Sequence, residues 1–328
     1  MADYKGIKGS TIQTIAGDPA NPIFGQVWYN STSNVLKGYA EGGGAGAWAA
    51  GGDINTTRNN AVGCGIQTAA LIAIGAAPAP TRNITETYDG TSWTDGVACL
   101  TARESGCMFG TTTAAINTSG QRLAINESYN GTSWSEVNDA ISGSSASAGL
   151  GTQTAGMCLG GYRPSGYSSL SETWDGTCYT EGNNMNQCRN AVDNAGGTTT
   201  AGIIVGGSCP PATKLKTTEL YDGTCWTETT DLSGLARGQM GVSTAGNQTA
   251  YLVAGGHAPA APSPMDIVEE WNGTTWSEQS DLATVRDQVL GAGTSSAQII
   301  CGGSNGVIKI APSEEWTKPD AVVTFTSS

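Results

Sequence analysis

The sequence predicts an all-β protein assembled from similar four-stranded units. Three observations predict it: a motif that returns at a regular spacing, an arginine that keeps step with it, and an apolar run closed by glycines. The motif reads ETYDGTSW at 86–93, ESYNGTSW at 127–134, ETWDGTCY at 172–179, ELYDGTCW at 219–226 and EEWNGTTW at 269–276, with a truncated EEWT from Glu314. In a chain of 328 residues such an echo is the mark of a repeat array.

The motif is a hairpin. In the first copy the β-formers Thr87-Tyr88 and Ser92-Trp93 flank Asp89-Gly90. Asp-Gly and Asn-Gly are the strongest short hairpin signals, because a type I′ turn needs positive φ at both central residues. Asp in three copies is replaced by Asn130 and Asn272 in the other two. A turn tolerates that exchange, whereas a metal ligand or catalytic carboxylate does not. The aromatic pair either meets across the hairpin or packs on a neighbouring sheet.

The second signal is an arginine ten residues after the closing aromatic: Trp48 to Arg58, Trp93 to Arg103, Tyr179 to Arg189 and Trp276 to Arg286, with Trp226 to Arg237 one longer. Trp134 breaks the rule, with Ser144 at that place. The third signal comprises LIAIG (71–75), AGMCLGG (155–161), AGIIVGG (201–207), AYLVAGG (250–256) and QIICGG (298–303), decaying to TTTAAINTSG at 111–120. Short apolar runs bounded by glycine suit buried strands. The closing aromatics at 48, 93, 134, 179, 226 and 276 give about 41–50 residues per unit, which is the period of propeller blades. Six blades are expected. The last lacks a closing aromatic and Trp48 lacks a preceding partner, so a strand near Trp48 is expected to close the ring.

Buried strand, Gly-Gly, then a Tyr or Trp and a Trp a few residues apart, as in LVAGG…EEWNGTTW, resembles a kelch repeat over residues 48–316. The short Asp/Asn-Gly hairpin departs from the commonest kelch pattern. Three parts are expected: residues 1–40 as a docking segment carrying a hairpin, 41–318 as the six-bladed propeller, and 319–328 as a terminal strand. EGGGAGA (41–47) reads as a flexible joint. The opening hairpin GQVWYNSTSNVLKGY (25–39) resembles segments of tail-fibre and other virion proteins of tailed bacteriophages, and its union with kelch-like blades resembles structural proteins of marine and cyanobacterial phages. That resemblance implies a particle component that meets other virion proteins through residues 1–40.

Composition narrows the partners. Net charge is −13 and charged residues are only 13%, which argues against a nucleic-acid partner. No apolar stretch reaches 18 residues and the N-terminus lacks an apolar signal core, so neither membrane insertion nor a signal peptide is expected, and the virion is the expected location. Nine cysteines occur without any CxxC and are expected to be small, half-buried residues without disulfides. One histidine, His257, cannot assemble a metal site, nor the copper ligands of galactose oxidase-type propellers.

Catalytic chemistry is not expected. A glycosidase needs two carboxylates flanking one bond. The repeated Glu86, Glu127, Glu172, Glu219, Glu269 and Glu314 instead occur once per unit, as do Arg58, Arg103, Arg189, Arg237 and Arg286. That symmetry indicates a structural ring, the guanidinium groups binding backbone carbonyls, with anion binding at the channel end as the alternative. Trp48, Trp93, Trp134, Trp226 and Trp276 are its structural aromatics. No cofactor is called for.

The variable loops between the buried strand and the Glu-x-aromatic strand are where recognition is expected. Tyr162, Arg163, Tyr167, Lys214, Lys216, His257 and Arg82 are the exposed candidates, for a host surface glycan or another virion protein. The alternatives are a glycan hydrolase and an intracellular peptide-binding adaptor. A homo-oligomer is compatible with the sequence, although no heptad pattern specifies one.

Overall fold

The computed structural model describes residues 12–40, 42–76, 82–190, 195–210, 213–259 and 263–325. It contains strands and turns, with no helix among the described residues. The chain divides into two compact units: Met1–Ala47 with Thr317–Ser328, and Trp48–Trp316.

The first unit is a four-stranded sheet of Gln13–Ile15, Val27–Asn30, Val35–Ala40 and Ala321–Phe325. Val27–Asn30 and Val35–Ala40 form the expected hairpin, with Asn34 left-handed at the turn. Trp28 is fully buried and its indole N–H donates to Asp18. The terminal strand pairs with the hairpin, so it belongs to this unit rather than forming a separate part. Residues 42–44 are tied down as well: the Gly42 N–H donates to Asp320 and the Gly44 N–H to the Pro319 carbonyl. These bonds correct the expectation of a free joint.

The second unit is an all-β, propeller-like succession of four-stranded antiparallel sheets. The first comprises Val62–Ile66, Ala69–Ala73, Thr85–Tyr88 and Trp93–Asp95; the second Cys107–Thr111, Ala114–Thr118, Asn126–Tyr129 and Trp134–Val137. The third comprises Ala148–Thr152, Ala155–Leu159, Ser171–Trp174 and Tyr179–Glu181; the fourth Gly196–Thr198, Ala201–Val205, Thr218–Tyr221 and Trp226–Thr229. The fifth comprises Gly241–Val242, Tyr251–Gly256, Met265–Trp271 and Trp276–Glu278. The sixth joins Leu290–Gly293, Ala297–Cys301 and Ser313–Thr317 to the early strand Ala47–Ala50.

The core lies between sheets rather than inside any one of them. Val62, Leu71 and Ala73 of the first sheet pack with Met108, Tyr129 and Trp134 of the second. Comparable layers join each later sheet to the next, and Ile72, Tyr88 and Trp93 pack with Leu290, Ile299 and Cys301 of the sixth. Burying a sheet's apolar face against its neighbour is the dominant stabilising term for such repeats.

Both expected positions of the aromatic pair are realised together. Tyr88 and Trp93 lie 5.0 Å apart across the hairpin, and the Trp93 indole N–H also donates to Ser313 of another sheet. The turn differs from expectation. Tyr88 pairs directly with Trp93, leaving a four-residue loop, Asp89 to Ser92, in which only Gly90 is left-handed, with φ of 92°. A type I′ turn is therefore absent. The Asp89 carboxylate instead accepts the N–H groups of Thr91 and Ser92, each at 2.8 Å. Asn130 and Asn272 accept the equivalent pairs at 2.9 Å through their amide oxygens. Asp and Asn both offer that oxygen, which explains the exchange between copies.

Candidate functional site

In each antiparallel sheet the loop between the second and third strands emerges at the end where the connection to the next sheet arrives. The two segments are also bridged directly, Asn59 with Ala76, Ser145 with Tyr162, Asn190 with Ser208, Gly238 with His257 and Asp287 with Ser304. This end holds two layers: a buried ionic frame and the loops above it.

The frame is where the three sequence signals meet. Arg58 pairs with Glu86 at 2.6 Å, Arg189 with Glu219 at 2.8 Å and Arg286 with Glu314 at 2.6 Å; Arg103 with Glu127 and Arg237 with Glu269 complete the same pattern. These arginines are fully buried. Each carboxylate also accepts backbone N–H groups of the connection, as Glu86 does from Asn55 at 2.7 Å and Glu127 from Leu100 at 2.8 Å. The expected guanidinium-to-carbonyl bonds exist too, Arg189 donating to Gly206 and Thr217 and Arg286 to Pro312. A charge buried this deeply needs a counter-charge and hydrogen bonds of this kind. These arginines therefore do not line a channel as anion ligands.

The carbonyl of the same arginine faces backward, to the preceding sheet. Gly161 N–H donates to Arg189 O at 2.7 Å, Gly207 to Arg237 at 3.0 Å, Gly256 to Arg286 at 2.8 Å and Gly303 to Arg58 at 2.9 Å. The Gly-Gly signal follows from that approach: a Cβ on Gly160 would lie 2.5 Å from the Arg189 carbonyl oxygen. Each arginine thus joins two sheets, one through its side chain and one through its backbone.

The third sheet departs from the pattern. Ser144 stands at the arginine position, and Arg163 replaces it from the loop above. Arg163 is buried, pairs with Glu172 and donates to the Ser142 carbonyl at 3.1 Å. By register Ser142 matches Thr101, whose carbonyl accepts from Arg103. Arg163 is therefore a frame residue, not an exposed recognition residue. Its signal in the sequence was the missing arginine at 144.

The remaining candidates do lie in the loops. Tyr162 and Tyr167 pair across a short hairpin, rings edge-to-face at 5.1 Å, with Tyr167 exposed. The Arg122 guanidinium, absent from the sequence-based candidates, sits 4.3 Å from the Tyr162 ring centroid. Lys214 ends a second short hairpin with Ser208–Cys209, and Lys216 follows it, both half-buried. Cys188 and Cys209 form a disulfide at the base of that hairpin, which corrects the expectation of free thiols throughout. The remaining cysteines are free, and Cys64, Cys99, Cys107, Cys158 and Cys301 are buried. Burial pushes the Cys301 thiol up to about 12 and that of Cys99 to about 11. Arg82 is half-buried, and its backbone N–H donates to the Gly75 carbonyl.

His257 meets Ser263 and Asp287. The Ser263 hydroxyl lies 2.7 Å and the Asp287 carboxylate 3.3 Å from the same nitrogen, Nδ1. A nucleophile–base–orienter relay uses the two ring nitrogens separately, so this trio does not have that geometry. Burial raises the pKa of Asp287, with His257 opposing the shift. Among the described residues no three His, Cys, Asp or Glu side chains are grouped to hold a metal ion. No helix of the described residues is long and apolar enough to cross a membrane.

No family model and no curated protein matches this chain. Among solved structures it resembles that of YjhT, with a TM-score of 0.67 over 83% of this chain and 99% of that one, at 11% identity. That likeness is one of fold.

Proposed function

We propose that the chain is a non-enzymatic structural protein of a tailed-phage particle: a six-bladed, kelch-like propeller closed by the strand Ala47–Ala50, with its N-terminal unit docking to other virion proteins. Its loop face binds a host surface glycan. The ring reading is supported by the bond from Gly303 to Arg58, which joins sixth sheet to first as other such bonds join neighbours.

The observation that carries the binding face is the placement of positive charge. In Trp48–Trp316 the basic residues outside the buried Arg–Glu pairs are Arg82, Arg122, Lys214, Lys216 and Lys309. All of them lie in loops between second and third strands. On a chain of net charge −13 this concentrates the cationic side chains, together with Tyr162 and Tyr167, on one end. Basic and aromatic groups on a rigid frame suit a polar, anionic surface polymer.

Mass spectrometry and cryo-electron microscopy of purified particles test the assignment. A six-bladed disc on the particle is the expected result, and particles without this chain overturn it. Replacing Tyr162, Tyr167, Lys214 and Lys216 with Ser, which spares the buried Arg163 and the Cys188–Cys209 bond, is expected to abolish adsorption to host cells; unchanged adsorption moves binding off this face.

A further inference from the structure

We infer that Arg122, Tyr162 and Tyr167 form a binding site for an acidic sugar residue, the carboxylate taken by Arg122 and the sugar ring lying on Tyr167. The inference rests on the glycan-binding reading above and assigns it a location and a ligand class.

Two departures from the repeat converge at this one place. The first is the chain path of Ser119, Gly120, Gln121 and Arg122, which all have positive φ, between 51° and 100°. Consecutive left-handed residues other than glycine are uncommon and persist where the surroundings hold them. Here the Ser144 carbonyl accepts the N–H groups of both Gly120 and Arg122, at 2.9 and 3.1 Å. The neighbouring connection is cut back to admit this turn: a Cβ on Gly143 would lie 2.0 Å from the Arg122 carbonyl oxygen.

The second departure is the transfer of the frame arginine into the loop. Arg163, adjacent to Tyr162, is locked by Glu172 and by the carbonyls of Ser142 and Gly160. The hairpin bearing both tyrosines therefore stands on a buried ion pair. Side chains held this way lose little conformational entropy when a ligand arrives.

The chemistry follows from what these groups present. Arg122 is exposed, and among the described residues its guanidinium has a ring contact but neither a hydrogen bond nor an ion pair. The planar fork matches a carboxylate through two parallel bonds. Tyr162 has one face under Arg122, and its edge-to-face contact with Tyr167 fixes the second ring, which is 40% exposed. An aromatic face beside a guanidinium suits the apolar C–H face of a pyranose carrying a carboxylate. Exposed Leu123 and Ile141 border the same turn: the Ala140 N–H bonds to the Ala124 carbonyl beside them.

The test uses the full chain with oligogalacturonate, oligomannuronate and oligoglucuronate as probes, each beside its neutral methyl ester, read by ligand-observed NMR and calorimetry. At least one free acid is expected to bind about tenfold more tightly than its ester, the weight of a charge-assisted bidentate bond. Arg122→Gln is expected to remove that preference, Arg122→Lys to restore part of it, and Tyr167→Ala to weaken acid and ester alike by about fivefold. Unaltered thermal unfolding verifies that each variant is folded. Equal binding of acid and ester, or binding that survives Arg122→Gln, overturns the inference. Uronate binding that survives Arg122→Gln and is lost in Lys214→Gln with Lys216→Gln overturns this location, moves the site to the loop of the fourth sheet and leaves the glycan reading standing. A chain located on particles that binds none of the probes overturns this inference alone; a chain absent from particles overturns the broader reading.

Discussion

The third and fourth sheets carry similar hairpins on the same end and secure them differently. In the third, Tyr162–Arg163 pairs with Gly166–Tyr167, and the hairpin is anchored by lending its own arginine to the buried frame. In the fourth, Ser208–Cys209 pairs with Thr213–Lys214; the frame keeps its connection arginine, Arg189, and a disulfide to Cys188 secures the hairpin. The ionic frame therefore specifies a charge at a place, not a residue at a position in the chain. Any segment able to deliver a guanidinium there satisfies it.

The largest effect is expected from removing the borrowed arginine. Arg163→Met leaves Glu172 buried without its cation, and a loss of about 3–5 kcal/mol in urea unfolding is expected. Adding Ser144→Arg is expected to recover most of that loss by returning the charge from the connection. Failure of Ser144→Arg to recover any stability contradicts the equivalence of the two routes.

A smaller effect is expected from the covalent anchor. The Cys188–Cys209 bond closes a separation of 21 residues, for which about 3 kcal/mol is typical. Cys188→Ser, or reduction, is expected to lower stability by about that amount and to speed hydrogen exchange at 208–214 while leaving 162–167 protected. Equal loss of protection in both hairpins would show that they are not independently anchored.

The gentlest probe is pH. Burial raises the pKa of Glu269, but the Arg237 charge and the bonds from Ser233 and Gly234 outweigh it, so its value in the folded chain lies below the ordinary 4.5. The unfolded chain then binds the proton more readily, so stability is present above about 4.5 and is lost as pH falls through the folded-state value. Urea midpoints measured downward from neutral pH are expected to fall in that window. Glu269→Gln, less stable at neutral pH, is expected to show a shallower acid slope; an unchanged slope assigns the acid sensitivity to other groups.

The repeated hairpins, buried strands and terminal strand were legible because each rests on local chemistry: an Asp/Asn-Gly turn, an apolar run, an alternating tail. The pairing of arginine with glutamate was not, although both sets were visible at fixed spacing. Arg58 and Glu86 are 28 residues apart, and spacing alone does not say that the connection folds back over the third strand. Arg163 was misplaced for the same reason, since a basic residue flanked by Tyr162 and Pro164 reads as a solvent-facing turn until its partner is seen. Arg122 is not legible in the sequence, because its backbone conformation, not its neighbours in the chain, brings it to Tyr162. The disulfide was hidden because cysteine spacing carries no pairing information without the loop geometry.

The two-way use of each frame arginine bears on how such a chain is lengthened. A duplicated unit arrives with a carbonyl for the glycines before it and glycines for the carbonyl after it. Both couplings run through one arginine in five copies, and in the third the Ser144 carbonyl and the Arg163 side chain divide them, so a unit inserted between regular copies meets the coupling it needs on both sides. Partial units carry only half a coupling, and gain or loss by whole copies is the natural mode of change in this chain.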